Sequence, residues 1–168
     1  MNKRISIFLI SFIALIIVFG CGERMTKEQL FALADKYERE ENYTEAVKTY
    51  KKIVDKYPDS EQADQAQYKI ALVYSNNLND FHKSIEAHSQ LIENYPQSKY
   101  AAQSLFMIGF IYANNLEDLE KAREYYSKFL QQYPDNELVT SVQWELDHLG
   151  QDINKIDFLD QDKQKETQ

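Results

Sequence analysis

The sequence is poor in the residues that interrupt helices and in those that build covalent or metal frameworks. It has 168 residues, enough for one domain with appendages, and among them are four glycines, three prolines and one cysteine. So little Gly and Pro favours helix over sheet. A single thiol excludes an internal disulfide and a zinc cluster built on cysteines. The net charge of −8 argues against a nucleic-acid partner, because nothing would neutralise the phosphates.

A long apolar run occurs only near the N-terminus. Residues 5–19 are apolar apart from two serines, and they follow the basic pair Lys3 and Arg4. The run suits the core of a signal peptide and is shorter than the roughly 20 residues that span a bilayer. Because the positive end stays inside, this arrangement predicts that the rest of the chain lies outside the cytoplasm.

The run ends in Val18-Phe19-Gly20-Cys21, which resembles the lipobox of bacterial lipoproteins. The resemblance implies a signal peptide at 1–20, removed before Cys21, acyl chains on Cys21, and a short linker at 21–25. Two or three acyl chains make a durable membrane anchor. Gly22 rather than Asp follows the cysteine, which implies the outer membrane, facing the periplasm. The alternative is an uncleaved membrane anchor with an inert Cys21.

A repeat of 38 residues runs through the rest of the chain. Tyr57-Pro-Asp-Ser, Tyr95-Pro-Gln-Ser and Tyr133-Pro-Asp-Asn are 38 residues apart both times. Three sets of apolar, small or aromatic positions keep the same spacing: Ala46, Ser84 and Ala122; Tyr50, His88 and Tyr126; Ile53, Leu91 and Phe129. So regular a spacing indicates a stack of similar structural units.

Each unit has the pattern of two helices. Thr26 and Gln29 fit a capping box at the first helix, and N-caps are expected for the later helices at Asn42, Ser60, Asp80, Ser98, Asp118 and Asn136. The Asn pairs at 76–77 and 114–115 suit a left-handed turn after a first helix. We predict three hairpins and a capping helix at 26–150, followed by a polar tail at 151–168 that is expected to be disordered.

The units resemble the tetratricopeptide repeat. Small residues stand where the paired helices cross, at Ala34, Ala71 and Gly109 in the first helices, and a proline closes each unit. The resemblance implies an all-α superhelix of antiparallel hairpins. It also implies that the first helices line a concave groove for other proteins.

Aromatic residues recur at one position of the first helices: Phe31, Tyr68, Phe106 and Trp144. One turn further lie Asp35, Leu72, Phe110 and His148. We predict a partner-binding groove formed by Phe31, Tyr68, Leu72, Phe106, Phe110 and Trp144, suited to an apolar helix or extended peptide. The alternative is that these rings pack between neighbouring helices as core. Neither row offers the basic clamp with which related arrays hold a carboxylate.

No arrangement typical of an enzyme is present. The three histidines, His82, His88 and His148, are expected at the surface or the edge of the core, and the spacing of the first two places them on different helix faces. Phosphate loops, nucleophile elbows and HExxH motifs are absent from the sequence. We therefore expect no catalytic residue, cofactor, metal or small-molecule substrate.

Two families of envelope proteins share the YPxS closures and long connections between repeats. One is the outer-membrane assembly lipoprotein family of BamD (YfiO), which has five repeats where this chain has about three. The other is the Tol-Pal-associated CpoB (YbgF) family, whose N-terminal coiled coil is missing here. The first resemblance implies a scaffold lipoprotein in outer-membrane protein assembly. The second implies a periplasmic adaptor for a peptidoglycan or cell-division enzyme.

Overall fold

The computed structural model describes residues 25–151, so Cys21, the apolar run and the tail beyond Gln151 lie outside the described part. Within that range the chain forms seven α-helices and no strand. They are α1 (Lys27–Arg39), α2 (Tyr43–Lys56), α3 (Glu61–Asn76), α4 (Phe81–Asn94), α5 (Tyr100–Asn114), α6 (Leu119–Gln132) and α7 (Val139–Asp147). No helix in residues 25–151 is both long enough and apolar enough to cross a membrane.

The helices pack as consecutive hairpins. Helices α1 and α2, α3 and α4, and α5 and α6 pair tightly, and each second helix also packs on the first helix of the next hairpin. The last helix, α7, packs on α6 and has no described partner after it. The predicted all-α repeat fold, with a terminal helix in the capping position, is confirmed.

Helix starts follow the sequence in four of the seven cases. Thr26 and Gln29 form the capping box, and the carboxylates of Asp80 and Asp118 accept hydrogen bonds from the N–H groups two and three residues into their helices, at Lys83 and Lys121. Ser60 stands at its N-cap position but makes no side-chain cap bond, and the same is true of Asn42.

The remaining two starts lie slightly later than the sequence indicated. Helix α5 begins at Tyr100 and α7 at Val139, because the Ser98 and Asn136 side chains accept hydrogen bonds from the N–H groups of Tyr100 and Leu138 instead. These side chains close a tight turn that precedes each helix.

The left-handed turn residues are not the Asn pairs. Asn77 and Asn115 keep right-handed backbone angles, and positive φ occurs at Glu41, Asn79 and Glu117. The strain falls directly before each second helix because the N–H of Asp80, and likewise that of Asp118, bonds back to a carbonyl near the end of the first helix. The reversal is therefore set by the entry into the second helix.

The repeated positions form the core. All nine residues of the three sets spaced by 38 are fully buried, and so are the crossing residues Ala34 and Ala71. Gly109 takes the third crossing position, where an added Cβ would lie 2.7 Å from two ring carbons of Tyr126. The third hairpin thus needs glycine where the first two hold alanine.

Candidate partner-binding groove

The first helices lie on the inner side of the stack. Contacts join α1 to α3 and α3 to α5, whereas no comparable contact joins successive second helices in the described residues. Elements on the inner side of a curved stack approach each other more closely than those on the outer side. The first helices therefore line the concave surface, as predicted for this fold.

Each ring of the aromatic row packs on the second helix of its own hairpin. The centroid of Phe31 lies 5.3 Å from that of Tyr50, edge to face. Tyr68 approaches His88 to 5.7 Å and Phe106 approaches Tyr126 to 6.0 Å. All three rings are half-buried. Each therefore has one face against the core and one face towards the groove, so that both of the interpretations drawn from the sequence describe part of the arrangement.

The C-terminal part of the groove is the most apolar. Phe106 and Phe110 lie 6.1 Å apart, and Trp144 is 37% exposed, the most exposed ring of the row. His148 stacks on Trp144 at 4.5 Å, and its Nδ1 donates to the Trp144 carbonyl. This end of the groove offers a partner aromatic surface that no described residue covers.

The N-terminal part carries charge instead. Buried Tyr50 extends from α2 to the first helices, where its hydroxyl donates to Asp35 at 2.5 Å and to Glu38. Lys69 on α3 donates to Glu38 at 3.2 Å and lies 3.9 Å from Asp35. Burial and these two acceptors raise the pKa of Tyr50 far above its usual value. The result is a network across three helices.

The later hairpins complete this position differently. His88 is fully buried, with its Nδ1 3.0 Å from Ser104 Oγ and its Nε2 without a partner in the described residues. Burial lowers the pKa of His88 to about 3, so the ring is neutral. The prediction of a surface or core-edge histidine is thus wrong for His88, because its repeat position faces the core. It holds for exposed His82 and half-buried His148.

The buried hydroxyl of Tyr126 has no hydrogen-bond partner in residues 25–151. Burial raises the pKa of this hydroxyl, and the nearby Glu145 carboxylate on α7 adds to the rise. Glu145 itself is half-buried, and burial raises the pKa of its carboxyl, with His148 acting in the opposite direction. The third hairpin therefore leaves two polar groups close together beneath Trp144.

Sequence reasoning missed the polar partners of these rings. Glu38, Lys69, Ser104 and Glu145 were not singled out, although Lys69 and Glu145 occupy the same register, two steps of 38 apart. Aligning charged positions as well as apolar ones would have found that pair. In the described part of the chain, no group of His, Cys, Asp and Glu is arranged to hold a metal ion.

The fold and this face define a helical-repeat protein, a stack of hairpins with an aromatic concave surface. The sequence matches the family described as YfiO, outer membrane lipoprotein, over residues 23–155. The chain belongs to this YfiO family of outer membrane lipoproteins. Comparison with the curated proteins gave no match.

Proposed function

We propose that this chain is a lipid-anchored scaffold of the cell envelope that holds a partner protein during outer-membrane protein assembly. Its partner-binding groove consists of Phe31, Tyr68, Leu72, Phe106, Phe110 and Trp144. The observation that carries the proposal is the half-exposed aromatic row on the concave side. Exposed apolar surface of this kind marks an interaction site, and large aromatic side chains supply most of the binding energy at such sites.

The chemistry of the groove favours an apolar segment of the partner. Leu72 and Phe110 occupy the row beside the aromatic rings, and both are half-buried. The only lysine that the structure brings to the carboxylates of this face, Lys69, is already engaged by Glu38. A negatively charged tail would gain little here, whereas an amphipathic helix or an extended peptide would bury its apolar side chains on the rings.

The groove is tested by truncating its exposed ring and a matched apolar residue outside it. Trp144 and Leu78 are both 37% exposed, and Leu78 lies in the turn between α3 and α4. We expect Trp144→Ala and Phe110→Ala to weaken capture of the partner about tenfold or more, as at interface hot spots. Leu78→Ala should leave capture unchanged. Capture is measured by affinity purification of the full chain from detergent-solubilised envelopes.

The same purification separates the two candidate functions. Recovery of β-barrel assembly components, lost in Trp144→Ala, supports the assembly role. Recovery of peptidoglycan synthases, hydrolases or division proteins instead supports a periplasmic adaptor of the CpoB (YbgF) kind. Equal recovery from the wild type, Trp144→Ala and Phe110→Ala would contradict a groove at these residues. Circular dichroism of each variant distinguishes lost binding from lost fold.

The membrane part of the proposal rests on Cys21. The family description as outer membrane lipoprotein supports an acylated cysteine before the repeats. We expect Cys21→Ala to abolish incorporation of labelled palmitate and to release the chain from the outer-membrane fraction. Unchanged labelling and retention would support the uncleaved anchor.

A further inference from the structure

The first and third hairpins hold the same tyrosine in different polar surroundings. Tyr50 and Tyr126 are 76 residues apart, two steps of the repeat, and both are fully buried. The Tyr50 hydroxyl donates to two carboxylates, and those carboxylates bind Lys69 of the next first helix. The chain thus supplies hydroxyl, carboxylate and cation from its own residues at this position.

The third hairpin supplies the hydroxyl and the carboxylate, but no described residue supplies the cation. The Lys69 position is taken by Glu145, which reverses the charge at the boundary with α7. Phe110 replaces Asp35 in the register of the first helices. No lysine, arginine or histidine in residues 25–151 lies within 4.0 Å of the Glu145 carboxylate, and the Tyr126 hydroxyl beside it is buried without a partner.

An unpaired, half-buried carboxylate beside an orphaned hydroxyl is unfavourable, and a cation would relieve both. The Tyr126 hydroxyl can donate to Glu145 as Tyr50 donates to Glu38, and a lysine or arginine from outside can then bind the carboxylate as Lys69 does. The rings of Phe106, Phe110 and Trp144 surround this point and suit the apolar stem of such a side chain.

We propose that Glu145, supported by Tyr126, forms a subsite for one lysine or arginine of the partner segment that lies in the groove. This inference rests on the proposed groove and specifies its ligand: an apolar segment with a basic residue placed over α7. Glu145 binds the basic group, and Tyr126 positions the carboxylate from beneath. Charge complementarity supports this occupant, since the chain as a whole carries a net charge of −8.

The test uses the full chain in detergent and the fluorescence of Trp144, the only tryptophan, which adjoins Glu145. The probe is a short amidated helical peptide of Leu, Ala and Gln with one central Lys, compared with the same peptide carrying Arg, Gln or Glu there. We expect the Lys and Arg peptides to bind about five- to tenfold more tightly than the Gln peptide, as for a partly buried charged pair. The Glu peptide should bind most weakly.

Glu145→Gln should abolish the preference for Lys and Arg and leave binding of the Gln peptide unchanged. The matched control is Glu137→Gln, which removes the same charge from an exposed site near the start of α7 and should retain the preference. Tyr126→Phe should reduce the preference without abolishing it, because the carboxylate remains but loses its support.

Other outcomes separate this inference from the proposed function. Equal binding of all four peptides, weakened by Phe110→Ala, overturns the cation subsite and leaves the apolar groove in place. A preference for Lys that persists in Glu145→Gln also overturns it, since the cation then binds elsewhere. Absence of binding by every peptide overturns it as well, and the groove is then judged by the affinity purification. If Lys155→Gln alone creates the preference, the chain's own tail is the occupant and the inference is wrong.

Discussion

The first and third hairpins show how two units of one repeat share their packing and differ in their polar chemistry. Tyr50 and Tyr126 fill the same core position, and each receives a half-buried ring of its first helix, Phe31 or Phe106. Only Tyr50 finds acceptors for its hydroxyl. The repeat therefore fixes the shape of the core, while the neighbouring first helix decides whether the polar end of the ring is satisfied.

The largest effect is expected where the network is complete. Tyr50→Phe removes a hydroxyl that two carboxylates accept and leaves Asp35 and Glu38 with Lys69 alone. We expect the free energy of unfolding to fall by about 1.5–3 kcal/mol, the range for hydrogen bonds to charged groups. Urea denaturation monitored by circular dichroism measures it. A change below about 0.5 kcal/mol would show that water replaces the hydroxyl at no cost and that the two hairpins differ less than their contacts indicate.

The second test acts on the close approach that only the third hairpin contains. Gly109→Ala places a methyl group against the Tyr126 ring, so the ring must move or the helices must separate. Overpacking of this kind costs about 1–3 kcal/mol, and the better helix propensity of alanine returns up to about 1 kcal/mol. We expect a net loss of about 1 kcal/mol in urea denaturation. A gain in stability would show that Tyr126 can adopt the position Tyr50 has beside Ala34.

The hairpin between them gives a pH-dependent version of the comparison. The pKa of His88 is about 3 in the fold and about 6.5 in the unfolded chain, so unfolding takes up a proton at mildly acidic pH. The stability is present above pH 6.5 and is lost as the pH falls. We expect about 1 kcal/mol to be lost between pH 7 and pH 5.5.

His88→Phe is the control for this effect, because it keeps a ring in the core and removes the titrating group. The difference between the two unfolding curves isolates His88 from the carboxylates that titrate at lower pH. Parallel curves for the wild type and His88→Phe over this range would contradict a buried neutral histidine.

The smallest effect is expected for the orphaned hydroxyl. Tyr126→Phe deletes a buried polar atom that has no described partner, so the free energy of unfolding should stay equal or rise by up to about 1 kcal/mol. Thermal unfolding followed at the same pH as Tyr50→Phe gives the matched comparison. A loss as large as that of Tyr50→Phe would place an unseen partner, such as an ordered water, at the Tyr126 hydroxyl.

The sequence predicts the periodic features of this molecule well. Helix starts at Thr26, Asp80 and Asp118 depend on side chains a few residues away, and the buried sets depend on a period that the residues display. Their physical causes are local or repeated, and the fold class follows from them. The position of the aromatic row on the first helices follows for the same reason.

Features that depend on three helices at once were not predictable in this way. Tyr50 meets Asp35, Glu38 and Lys69 only because α1, α2 and α3 come together, and no spacing along one helix reveals that junction. The burial of His88 was masked by its polar side chain, although its register with Tyr50 and Tyr126 pointed to the core. The positive φ of Glu41 and Glu117 was hidden because these residues have no preference for it.

The sparse packing of α7 has a thermodynamic consequence for recognition. This helix buries only Val142 completely and rests on α6 alone among the described helices, yet it carries Trp144 at the end of the groove. In a linear array each element is stabilised by its nearest neighbours, so the terminal helix opens at a lower free energy than the interior hairpins. A ligand seated on Trp144 therefore binds the closed form of α7 and must slow hydrogen exchange there first. Affinity at this end of the groove and the folding of the last helix are one coupled equilibrium.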